Sequence, residues 1–139
     1  MTTQVLEQIT YNGTIFPTIS EPLRSYLESN DIQLPSQSSA CWRGYIGHWL
    51  IEEDRLYLIK VASYRRNPKK IAPSLHYLFP NQNKVFAEWF CGKIRIEEGD
   101  ILHYFGRGHS IRERSIFLIF EQGILIDTEE LKHPKKTQS

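Results

Sequence analysis

Cysteine is scarce in this chain: only Cys41 and Cys91 occur, far apart and outside any Cys-x-x-Cys pair. That excludes a disulfide framework and the local half of a zinc site. Long apolar runs are missing too. None approaches the ~20 residues that a membrane helix needs, and Met1-Thr2-Thr3-Gln4 lacks the basic start and apolar stretch of a secretory signal. Charge of one sign is absent, since the formal balance is only +1, so the molecule as a whole has no polyelectrolyte character. No Walker or dinucleotide glycine pattern occurs. These absences predict a soluble, cytoplasmic protein of a reducing compartment, with no membrane association and no cofactor.

Aromatic residues are plentiful. Three Trp, seven Tyr and seven Phe stand among 139 residues, with Ile frequent. Such side chains suit a pleated, half-buried surface, and the length suits one domain with a core of its own. Gln8 to Phe16 alternates around Asn12-Gly13, the pair that best tolerates the positive φ angles of a tight hairpin turn. Ser20 to Ser29 reads as a short helix: Ser20 as cap, Pro22 in the first turn, and Leu23, Tyr26 and Leu27 on one face. A second helical turn is expected from Ser74 to Phe79, stopped by Pro80. Val85 to Phe90 reads as a strand, and Ile111 to Phe120 as a longer one that turns at Glu121-Gln122-Gly123 and returns.

Two stretches share a pattern. Residues 44–61 and 90–105 each have an apolar run, an acidic turn opening on Ile-Glu-Glu (Ile51-Glu52-Glu53 and Ile96-Glu97-Glu98), and a second apolar run, which predicts two hairpins. In the first, both strand faces are apolar, as in a central strand, and Gly44 and Gly47 mark a bulge or a close approach to the backbone. The expected fold is mainly β: one antiparallel meander, as a curved sheet or open barrel, with one short N-terminal helix, or α+β if the second helical turn is counted. Residues 1–130 form the single β-rich domain and residues 131–139 a polar tail.

Trp42-Arg43-Gly44-Tyr45-Ile46-Gly47-x-Trp49 with Leu56-Tyr57-Leu58, and Val85-Phe86-Ala87-x-Trp89-Phe90-x-Gly92 with Leu102-x-Tyr104, resemble the two signatures of an uncharacterised bacterial protein family, a domain of unknown function. The resemblance covers roughly residues 40–126. His48 departs from it, standing where a small polar residue is expected. It implies a compact, β-rich bacterial protein and carries over no activity, cofactor or catalytic residue.

The polar residues offer several readings. Arg43, Arg107, Arg112 and Arg114, with His103 and His109 around Gly106-Arg107-Gly108, could hold a carboxylate or phosphate if they met on a concave face; cross-strand pairing with Glu88, Glu97 or Glu113 is the structural alternative. Metal binding through His103, His109, His48 and Cys91 lacks any tightly spaced pair, so no metal is expected. Cys91, between Phe90 and Gly92, reads as a small buried hydrophobe rather than a nucleophile. Charge is unevenly spread, net −3 over residues 1–40, +5 over 41–84 and −1 over 85–139. The positive excess comes largely from Arg65, Arg66, Lys69 and Lys70, a run that could touch nucleic-acid phosphates, although no RNA-binding signature accompanies it. The favoured reading is a non-catalytic binding or interaction module, its partner another protein or a second copy. A small enzyme or binding protein for an anionic molecule, using His103, His109, Arg107 and Arg112, comes next, and a nucleic-acid accessory protein third. No catalytic residue is assigned.

Overall fold

The computed structural model describes residues 6–34, 44–62, 74–106 and 109–133, and between 101 and 111 the backbone alone. Among the described residues, three two-residue turns organise the strands. Asn12-Gly13, at φ 52° and 78°, joins β1 (Glu7–Tyr11) to β2 (Thr14–Thr18). Glu53-Asp54, at 51° and 62°, joins β3 (Ile46–Glu52) to β4 (Arg55–Ala62). Gln122-Gly123, at 50° and 78°, joins β7 (His109–Glu121) to β8 (Ile124–Lys132). Paired positive φ at the two central residues is the turn whose twist matches that of a hairpin. The remaining elements are α1 (Arg24–Ser29), α2 (Leu75–Leu78), the two-residue β5 (Val85–Phe86) and the long β6 (Gly92–Gly106).

The fold is mainly β, as expected, but the uniform antiparallel meander is corrected. The strands form one mixed sheet in the order β2-β1-β3-β4-β8-β7-β6, with β5 on β4. β1 and β3 run parallel, with Ile9 opposite Trp49. The chain leaves β2 through α1 and comes back beside β1, a crossover that its length permits. The sheet is curved and not closed by a backbone ladder. Its two end strands meet through hydroxyls instead: Thr18 Oγ1 donates to the Arg95 carbonyl (2.7 Å), and Ser20 Oγ accepts the Arg95 N–H (3.3 Å).

β4 and β8 share one register pair, Arg55 with Ile124. The two hairpin turns interlock there, Leu56 N–H to Gly123 O (2.8 Å) and Leu125 N–H to Asp54 O (2.6 Å). The N-terminal strands and the β6–β7–β8 strands thus form two faces that close on one core. The inward row of the first runs Phe16–Ile9–Trp49–Leu58–Val85 across five strands, with Trp49 only 1% exposed. Ile94, Ile96, Leu118 and Phe120 face it from the other strands, and Leu23, Leu27, Leu75, Leu78 and Phe79 complete the core from the helices.

Several local expectations need correction. The second acidic stretch is not a hairpin. Residues 92–106 continue as one strand against β7, and Gly99 (φ 94°) makes a bulge where the ladder shifts between Glu98 and Ile101. β6 stays paired with β7 on both sides of Gly99, so its positive φ makes a bulge and not a reversal. Ser20 does not cap α1, which starts at Arg24 behind an uncapped Leu23; its hydroxyl is spent on β6. The strand expected over 85–90 stops at Phe86, and a turn at Glu88-Trp89 follows. β8 runs through Leu131 and Lys132, two residues into the expected tail. The Ser74 cap of α2 is present, its hydroxyl accepting the Tyr77 N–H (3.0 Å).

Candidate functional site

Among the described residues, polar or exposed apolar groups gather at several places, and each starts from a strand register. In the first, β6 and β7 place Arg95 opposite Phe117 and Glu97 opposite Ser115, and the end of β8 brings in His133. Ser115 is fully buried. Its Oγ lies 2.6 Å from His133 Nε2, 2.8 Å from Glu97 Oε2 and 3.0 Å from Arg95 Nη2. A serine beside a histidine invites a nucleophilic reading, but the proton count opposes it. Ser115 has one proton and gives it to the Glu97 carboxylate. Arg95 can only donate, so His133 Nε2 must donate as well, and both hydroxyl lone pairs are filled. Arg95 Nε also binds Glu97 Oε1 (2.6 Å). This is a saturated polar lock holding the end of β8 to the sheet.

The arginines proposed for an anion are the second place. Arg112 Nη1 donates to the Gly99 carbonyl (2.8 Å), bracing the β6 bulge, while Glu113 accepts the Asp100 N–H (3.0 Å). Arg114 binds Glu98 (2.7 Å) and lies 3.5 Å from Glu130, and the Glu98 bond raises its pKa. Cross-strand pairing accounts for Arg114, but through Glu98 and Glu130 and not the expected Glu88, Glu97 or Glu113. Arg112 finds a carbonyl. His103 pairs in register with Ile111, and His109 with Gly106; their side chains, and all of Arg43, Arg107, Arg65, Arg66, Lys69 and Lys70, lie outside the described residues. Cys91 is an exposed free thiol rather than a buried hydrophobe, its Sγ accepting the Gln122 N–H (3.3 Å).

The third place was not read from the sequence as a site. On the outward face of the N-terminal strands, register pairs align Ile15–Thr10–Leu50–Tyr57–Phe86 across β2, β1, β3, β4 and β5. None of the five is buried although the row crosses the middle of the sheet, and Ile15 is 64% exposed. Tyr57 and Phe86 touch at 5.9 Å; Lys84 Nζ sits 4.2 Å over the Tyr57 ring and Arg55 5.8 Å over Phe86. Lys84 also binds Glu52 at 2.6 Å, and that bond raises its pKa. On one flank of the row stand His48 and Lys60, paired in register; on the other, Glu52 and Arg55 lead into the Glu53-Asp54 turn. Partial burial, and then Lys60, push the His48 pKa down. The only sequence signal for this face was the two-sided apolar character of the first hairpin.

Exposed apolar residues also occur on β8, at Ile124, Ile126 and Leu131, but that edge is blunted. The His133 N–H donates to Glu113 O, and alternation along the ladder then turns the backbone groups of Thr128, Glu130 and Lys132 away from β7. Asp127 Oδ1 accepts the Thr128 N–H (2.8 Å), a register shift interrupts the ladder nearby, and Asp127, Glu129 and Glu130 line the strand. A bulge and charges are the usual protection of an open edge.

No protein-family model, curated protein or solved structure matches this chain. No helix among the described residues is long and apolar enough to cross a membrane.

Proposed function

We propose that this protein is a non-catalytic interaction module that binds another polypeptide through the outward face of its N-terminal strands. The observation that carries the reading is the open row Ile15–Thr10–Leu50–Tyr57–Phe86. Four of its five residues are apolar or aromatic, with Thr10 between Ile15 and Leu50, and a partly apolar face with a charged rim is what a protein-binding surface presents. Among the described residues, two polar clusters support the same reading from the other side. Arg95, Glu97, Ser115 and His133, and Arg112 with Arg114, spend their hydrogen bonds inside the molecule. A site that turns over a substrate needs groups free to meet it. The exposed thiol of Cys91 supports a reducing, cytoplasmic setting.

A photoreactive side chain placed at Ile15, in cells producing the chain, tests this reading. The expected result is a covalent adduct with a polypeptide, which Leu50→Asp removes. The same probe at Ile126, on the blunted β8 edge, should give far less. Absence of an adduct from position 15, or equal yields from both positions, would sink the reading.

A further inference from the structure

We draw no further inference here: the strongest candidate, the outward face of the N-terminal strands around Ile15 and Leu50, belongs to the site already described, and nothing in the structure shows what covers it.

Discussion

Gly47 shows how a single residue can be required for space rather than for backbone freedom. It lies inside β3, and a Cβ added there would sit 2.5 Å from Glu7 Oε1 and 2.7 Å from the indole nitrogen of Trp49. Neither neighbour can move away cheaply. Glu7 is 1% exposed, accepts the Gly47 N–H at 2.6 Å and lies 3.3 Å from Trp49 Nε1. A buried carboxyl group held by such donors is costly to displace, because any bond lost leaves a polar group unsatisfied in a dry interior. Gly47→Ala should therefore destabilise the fold by about 2–3 kcal/mol, near the top of the usual overpacking range. Urea unfolding reads this directly, and a midpoint within error of wild type would show that the pocket yields. The glycine was legible in the sequence as a point of close approach. Its neighbour was not, because nothing local marks Glu7 as the residue that returns forty positions later in space.

Among the elements, the turns carry the hairpins, and the Glu53-Asp54 turn does so at a cost. Both residues sit at positive φ, where a side chain other than glycine's is strained by roughly 1 kcal/mol or more. Asn12-Gly13 makes the same turn with residues that accept it. Replacing Glu53-Asp54 by Asn-Gly should raise stability by about 1 kcal/mol, the relief being partly offset by the greater freedom of glycine in the unfolded chain. The interlock with β8 uses the backbone carbonyl of residue 54 and survives the change. A higher denaturation midpoint at constant m-value is the expected reading, and a lower one would show that the acidic side chains hold the turn. This comparison also explains what was legible at this scale. Asn12-Gly13 and the acidic turn of the first hairpin announce themselves by position between apolar runs. Ile96-Glu97-Glu98-Gly99 carries nearly the same letters, yet β7 is long enough to pair on both sides of it, so Gly99 becomes a bulge. Partner length decided the outcome, and partner length is not a local property. The outward row escaped notice for a related reason: its five residues come from five strands and adjoin only once the register is set.

At the scale of the whole molecule, the curved sheet is held at two joints of different kinds. One is the interlocked pair of turns where β4 meets β8, made of backbone bonds. The other is the seam between β2 and β6, where Thr18 and Ser20 bond the backbone of Arg95. A seam built on hydroxyls is the weaker joint, since a side chain can let go without breaking a ladder. Thr18 is 2% exposed; its Oγ1 donates to Arg95 O at 2.7 Å and accepts the Ser20 N–H at 3.1 Å. Thr18→Val keeps the shape and removes both bonds, leaving a carbonyl and an amide short of a partner. The cost should be about 1–3 kcal/mol, and its distribution matters more than its size. If the seam opens as a local event, the amides of Ser20 and Arg95 should exchange with solvent far faster in the variant. Those of Trp49 and Leu58, in the middle of the sheet, should keep their protection. Uniform loss of protection across all four would mean that the two faces of the core cannot separate, and that the open sheet behaves as a closed barrel.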